Sequence, residues 1–316
     1  MKLTFLGTSA GKPTKERNVS ALALEFDQDN KWYLFDCGEA TQHQILKTSL
    51  SLGKLDTIFI THLHGDHYYG LLGLLSSKTL DKALCALTIY APQGIKEFLT
   101  CAMDISFEHL GYELNIVEIN RESRFHFERF SLTILPLVNS VQSYAYCIKE
   151  HDINNKLNEK KLRENGLNPS SLYGELKRGN NIVFNGKEFV ADEYMLEPLR
   201  GRSIIIAGDN SEPDVMGSYL EKIDLLVHES TYTQKVYDSL ATKFLHTTAK
   251  KLALVAQKYQ IPNLIATHIS ARYSQNGENT PKSMCDEIEN FYRGKCFIAN
   301  DFDSFYLSRS KELKKL

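Results

Sequence analysis

An α/β fold is predicted by two features of this 316-residue chain. Short apolar runs with strand character alternate with segments whose apolar residues are spaced for a helix. Several of the runs end in Asp, His or Glu: Phe35-Asp36, Ile60-Thr61-His62, Ala207-Gly208-Asp209, Val227-His228-Glu229 and Thr267-His268. Strand ends in α/β folds are where rigid backbone delivers side chains to one crevice. One site assembled from many distant segments is therefore expected.

In chain order, Thr4 to Leu6 reads as a strand running into the small-residue turn Gly7-Thr8-Ser9-Ala10-Gly11. Ser20 to Phe26 alternates and Trp32 to Phe35 is apolar, so both read as strands. Leu55 to Ile60 is a buried strand ending at the stretch THLHGDH, and Tyr69 to Leu80 has helical spacing. Leu87 to Tyr90, Glu113 to Ile119, Phe125 to Leu135 and Tyr144 to Ile148 read as strands, and Pro92 to Met103 as a helix opened by proline. Residues 150–180 are polar, charged and poor in large apolar side chains. The alternation then resumes with strands at Ser203 to Ala207, Asp224 to Val227 and Leu264 to Thr267, and an amphipathic helix over His246 to Lys258.

Composition narrows the class. Apolar residues make up 42% and charged residues 24%, as in a soluble globular protein with a full core. The net charge of -2 provides no global basic field, so a nucleic-acid partner would need locally concentrated positive charge. Six cysteines without a CxxC pair suggest reduced thiols and a cytoplasmic protein. The first residues lack the apolar core of a signal peptide, and no run is long enough to span a bilayer.

The stretch from His62 to His67 carries the chemistry. His62 and His64 are two apart and face the same way in an extended loop. Asp66 and His67 follow Gly65, where the chain can turn, and adjacent side chains point apart, which leaves this pair for a second ion. Imidazole suits zinc, and carboxylate adds charge and a hard ligand. Asp209 is a candidate bridge between two ions. His126 and His151 are expected at the surface, and His109 has no assigned role.

At these residues the chain resembles the metallo-β-lactamase superfamily and, within it, the short-form ribonuclease Z family. The resemblance runs nearly end to end: Phe5 to Asn18, Phe35 to Gln42, His62 to His67, Gly208-Asp209, His228 to Thr231, His246 to Thr248, and Thr267 to Tyr273. It implies an α/β fold of α+β type, an αββα sandwich of two mixed sheets flanked by helices, as one domain over residues 1–316. Residues 150–180 would be inserted into it as a protruding tRNA-binding arm. It implies a metal-dependent endoribonuclease that removes 3′ trailers from precursor tRNA and leaves a 3′-hydroxyl, acting as a homodimer. Two zinc ions are implied, one held by His62, His64 and Asp209, the other by Asp66, His67, His268 and Asp209. Asp66, Glu229 and His246 are the implied catalytic residues, the last two as a proton-donating pair. Asp36 would orient a ligand histidine.

The chain departs from the family at Asn139, within Leu135-Pro136-Leu137-Val138-Asn139-Ser140, where the resemblance calls for a ligand histidine. A neutral amide oxygen is a poor zinc ligand. The first site would therefore be weakened, take a harder ion such as manganese, or leave a tRNA-binding protein with a crippled metal site. Asn210 stands where the family has threonine, and Ser170-Ser171 where it has Gly-Pro. Residues 156–179 carry six basic and three acidic side chains, which suits phosphate contacts. Tyr173, Lys177, Arg178 and Arg272 are the expected RNA-binding residues, and Lys12, Lys15 and Arg17 border the site on the opening loop. The remaining alternative is a hydrolase of the same fold acting on small phosphodiesters or sulfate esters.

Overall fold

Alternation along each strand decides which layer its side chains join. In Ser203–Ala207, Ile204 and Ile206 enter one core and Ile205 another. In Leu225–Glu229, Leu225 and Val227 go one way and Leu226 the other. The same period sorts Tyr33 and Phe35 from Trp32 and Leu34, and Leu22 and Leu24 from Ala21 and Ala23. Strands buried on both faces read as continuous apolar runs for this reason.

The computed structural model describes residues 1–274, 277 and 279–316 and divides into two units. Met1–Ile148 with Ser203–Leu316 forms the larger. It holds an eight-stranded sheet in the spatial order Leu313–Lys315, Ser304–Leu307, Lys2–Gly7, Ala21–Glu25, Trp32–Phe35, Leu55–Phe59, Leu87–Pro92 and Leu114–Ile119. A seven-stranded sheet runs Lys295–Ile298, Asn263–Thr267, Leu225–Glu229, Ser203–Ala207, Tyr144–Glu150, Phe130–Pro136 and Ser123–His126. Phe5, Phe35 and Phe59 from the first sheet share a core with Phe130, Tyr146 and Ile204 from the second. The outer faces are covered by helices, Leu71–Leu80 and Ile95–Ser106 on one side, Ala249–Lys258 and Pro281–Phe291 on the other. This is the expected αββα sandwich. In both sheets the central strands run parallel, so their carboxyl ends, at Phe35, Phe59, Ala207, Glu229 and Thr267, gather at one edge.

The elements differ from the sequence reading in three places. Phe125 to Leu135 is not one strand but the hairpin Ser123–His126 and Phe130–Pro136, because a turn closed by the Phe127 N–H on the Phe130 carbonyl exposes Glu128 and Arg129. Pro92 ends a strand rather than opening a helix; the chain is redirected at Gly94, at φ 105°, and the helix begins at Ile95. The helix expected from His246 begins at Ala249, capped by the Thr248 hydroxyl, which leaves His246 on the preceding loop.

Lys149–Arg202 forms the second unit. Its helices Glu159–Glu164, Leu172–Lys177 and Ala191–Tyr194 and its hairpin Ile182–Phe184 with Lys187–Phe189 enclose a small core of Leu157, Leu162, Leu167, Tyr173, Leu176 and Phe189. The unit continues past residue 180 because the hairpin and last helix complete that core. No helix among the described residues is long and apolar enough to cross a membrane.

Candidate metal centre

Three ligand-type histidines, His62, His67 and His268, are each held by a second group that fixes which ring nitrogen faces inward. His67 directs its Nδ1–H to Asp36 Oδ2 at 2.8 Å. Asp36 also accepts from the Thr61 N–H at 2.7 Å and the Thr61 hydroxyl at 3.0 Å. That hydroxyl, committed as a donor to Asp36, accepts from His62 Nδ1 at 3.0 Å. The Thr231 hydroxyl donates to Glu229 and faces His268 Nδ1 at 3.1 Å, so it accepts that ring's proton. All three rings therefore carry their proton on Nδ1 and turn the Nε2 lone pair to the interior. This arrangement orients ligand histidines and raises their basicity. The Asp36 and His268 backbones are left-handed, at φ 58° and 56°, a strained conformation that recurs at functional sites.

Five distances among the inward atoms of His67, His268, Asp66 and Asp209 lie in the range that donors to a shared ion take. His67 Nε2 lies 3.4 Å from His268 Nε2, 3.4 Å from Asp66 Oδ2 and 3.6 Å from Asp209 Oδ1. His268 Nε2 lies 3.3 Å from Asp66 Oδ2 and 3.4 Å from Asp209 Oδ1. An ion bound tetrahedrally through bonds of about 2.0–2.2 Å sets its donors about 3.3–3.6 Å apart. The two imidazole nitrogens face each other across 3.4 Å beside two carboxylates, a gap that a shared proton or a bound cation can occupy. This donor set fits a divalent metal ion.

A second set shares Asp209. His62 Nε2 is 3.6 Å from Asp209 Oδ2 and 3.0 Å from His64 Nδ1. These three residues are also spaced to hold an ion, but they supply three donors rather than four. Asn139 adds none: its Oδ1 accepts from the Ser140 N–H at 2.6 Å, and its Nδ2 is buried without a partner. Its loop is nonetheless fastened beside Asp209. The Ser211 N–H donates to the Val138 carbonyl at 2.9 Å, and Asn210 Oδ1 accepts from the Val138 N–H at 3.2 Å. Close approach of the strands makes this possible, since a Cβ on Gly208 would stand 2.5 Å from Thr61 Cβ.

His246 and Glu229 form a pair beside the shared carboxylate. His246 Nδ1 is 3.1 and 3.2 Å from the two Glu229 oxygens and 3.7 Å from Asp209 Oδ2. Glu229 is 1% exposed and is held by the Asn210 N–H at 2.8 Å. Burial opposes charge on the His246 ring, but the adjacent Glu229 outweighs it and raises the pKa to about 9. At His62 and His64 burial prevails instead, and their pKa values fall, keeping both in the neutral form that binds metals. Asp209, His246 and His268 make a third set at metal-binding spacing, but Glu229 competes for the His246 nitrogen with a proton.

The structure brings together His62, His64, Asp66, His67, Asp209, Glu229, His246, His268 and Asp36. Two expectations need correction. Arg17 cannot reach a phosphate: it is 4% exposed, and its guanidinium donates to Thr8 Oγ1, the Ala299 carbonyl and Asn300 Oδ1, each at 2.6 Å. Tyr173 is not a surface residue: its ring lies in the second unit's core and its hydroxyl donates to the Leu167 carbonyl at 3.0 Å. Lys177, Arg178 and Arg272 are exposed, with Arg178 paired to Glu175. Sequence reasoning gave no role to Thr61 and Thr231, or to the Gly11 N–H, which donates to Asp66 Oδ2 at 2.7 Å. The signal for the two threonines is nearness to site residues, in Thr61-His62 and in Glu229-Ser230-Thr231.

Relatives of this chain are found among ribonucleases Z and metallo-beta-lactamase fold proteins. Residues 1–154 match the family model described as Anti-Pycsar protein Apyc1. The chain is 36% identical over 322 residues to a ribonuclease Z of Marinobacter nauticus, covering 100% of this chain and 99% of that protein. Among solved structures, human tRNase Z, short form, superposes with a TM-score of 0.68 at 25% identity, covering 98% of this chain and 100% of the other. The metallo-beta-lactamase fold protein YhfI from Bacillus subtilis superposes at 0.66 with 17% identity, over 96% of this chain and 97% of that one, which speaks to the fold alone.

Proposed function

We propose a function from one premise: the chain belongs to the ribonuclease Z family. It is a metal-dependent endonuclease that processes the 3′ ends of tRNA. The observation that carries this reading to the chemistry is Asp209, whose two oxygens face two donor sets and whose neighbour is a proton-bearing His246–Glu229 pair.

The finer assignments are ours. Asp66, His67, His268 and Asp209 would hold one zinc ion, and His62, His64 and Asp209 the other. When bound, such ions supply Lewis acidity toward phosphate oxygens and acidify water. Asp209 and Asp66 place negative charge where two cations must sit close together. Asp36, Thr61 and Thr231 keep the rings of His67, His62 and His268 in the required tautomer. Glu229 holds the His246 proton at Nδ1 and stabilises the charged ring, leaving Nε2–H to protonate the departing oxygen. A 3′-hydroxyl product requires that this oxygen be the 3′-oxygen of the retained tRNA. The exposed Lys177, Arg178 and Arg272 would meet phosphates. Residues 149–202 would serve as the tRNA-gripping arm of a cytoplasmic homodimer.

Asn139 favours a second reading, a tRNA-binding protein that no longer cuts. Three protein donors suffice for catalytic zinc sites elsewhere, so we place hydrolysis first. The test is incubation of a 3′-extended precursor tRNA with the chain in zinc or manganese, followed by end mapping. Cleavage after the discriminator nucleotide, with a 3′-hydroxyl on the tRNA, is the expected result. Tight binding without cleavage in either ion would select the second reading.

A further inference from the structure

Away from the metal centre, a fully buried amine rests on an exposed thiol. Lys78 lies near the end of the helix Leu71–Leu80 and is 0% exposed. Its Nζ donates to the Leu52 carbonyl at 3.1 Å and to Cys85 Sγ at 2.9 Å, and stands 4.9 Å from the centroid of the Tyr112 ring. Among the described residues no carboxylate pairs with it, which is unusual for a lysine without solvent. The ring, the carbonyl and the sulfur fix the nitrogen in place. Cys85 is exposed, and its Sγ–H donates to the Gly53 carbonyl at 3.1 Å. One sulfur is thus open to small solutes on one side and holds an amine nitrogen on the other.

We propose that Lys78 and Cys85 are a modification site, joined by hydroperoxide into a covalent Nζ–O–Sγ bridge. In the first step peroxide transfers one oxygen to sulfur: the O–O bond breaks, an S–O bond forms, and the thiol becomes a sulfenic acid with release of one water. That oxygen lies where the nitrogen waits. A gap of 2.9 Å is too long for a direct S–N bond and accommodates one bridging atom. In the second step another peroxide removes one hydrogen from the sulfenic oxygen and one from nitrogen, and the O–N bond forms with release of two waters. Any additional proton on the amine goes to solvent. Altogether a thiol, an amine and two peroxides give the bridge and three waters. Two equivalents of a dithiol reverse it, returning thiol, amine and one water. The bridge ties the end of the helix Leu71–Leu80 to the segment that follows it. It also diverts the sulfenic acid from irreversible oxidation.

The test uses the full chain, exposed to hydrogen peroxide, digested without reductant and analysed by tandem mass spectrometry. The expected product is a species joining Lys78 and Cys85, heavier than the unmodified residues by one oxygen less two hydrogens and removed by dithiothreitol treatment. It should be absent from Cys85→Ser, which keeps a hydroxyl acceptor for the amine, and from Lys78→Arg. Cys101, exposed with no amine on its sulfur among the described residues, is the control in the same digest and should progress to higher oxides. If Cys85 instead follows Cys101 to sulfinic and sulfonic acids while Lys78 stays free, the proposal is wrong. Cys85→Ser alone decides the matter if Lys78→Arg fails to fold.

Discussion

At Asp36 one carboxylate serves two histidines: it holds His67 Nδ1 directly and His62 through the Thr61 hydroxyl. Removing such a partner costs about 10–100-fold in metal affinity. Asp36→Asn is therefore expected to weaken ion binding by that order, read by competition with a chromogenic chelator, and an unchanged affinity would remove Asp36 from the account. Glu229 has the corresponding role for His246. With the ring raised to about 9, its proton is available below that pH and is lost above it. The basic limb of the kcat profile should fall near that value and move down toward the ordinary histidine value of about 6.5 in Glu229→Gln. A limb that stays in place would show that His246 is not the proton donor. The sign for stability follows from the same raised pKa. The ring's contribution is complete below its unfolded value of about 6.5 and is lost as pH rises through the folded value near 9. In ion-free protein, stability measured by denaturant titration should decline across that window, and less so in His246→Ala. The candidate ligand residues were legible in the sequence because the same short stretch carries four of them, His62, His64, Asp66 and His67. Arg17 was not, because its burial depends on Ala299 and Asn300, about 280 positions away, and nothing local marks it.

Strand ends and the turns that follow them are the elements that make the site. Gly208 lets the strand Ser203–Ala207 deliver Asp209 against Thr61, since any side chain there would meet Thr61 Cβ. Gly208→Ala is expected to destabilise the fold by about 1–3 kcal/mol through overpacking, measured by denaturant unfolding, and to lower ion affinity at the same time. In the second unit, Lys177 lies in the last turn of a helix whose Tyr173 and Leu176 face the small core, and it remains exposed. The double variant Lys177→Ala, Arg178→Ala should weaken tRNA binding and reduce its salt slope by about 1 for each phosphate no longer neutralised. Hydrolysis of a small phosphodiester should not change. If both activities fell together, this unit would not be a binding arm. Strand positions were legible because burial on both faces leaves long apolar runs such as Ser203 to Ala207. The hairpin within Phe125 to Leu135 was not, because aromatic residues Phe125, Phe127 and Phe130 continue through its turn and mask it.

Across the whole molecule, two sheets converge on a centre lined by the carboxylates Asp36, Asp66, Asp209 and Glu229. Burial opposes a proton on His67, yet Asp36, Asp209 and Asp66 together raise its pKa well above the ordinary histidine range. Ions that bind only the folded chain stabilise it, by about 2.7 kcal/mol at a free concentration of 100 times Kd. Chelation should accordingly lower the melting temperature, and equal melting with and without chelator would contradict a metal centre. The sandwich and its family were readable end to end from motifs at strand ends. What the sequence did not disclose was how unequal the two donor sets are, because that depends on where Asn139 directs its oxygen. The decisive measurement is cleavage of a 3′-extended precursor tRNA by this chain and by Asn139→His, in zinc and in manganese. The account predicts cleavage after the discriminator by both, with the histidine variant reaching full rate at a lower metal concentration. Failure of both to bind or cut tRNA in either ion would contradict it.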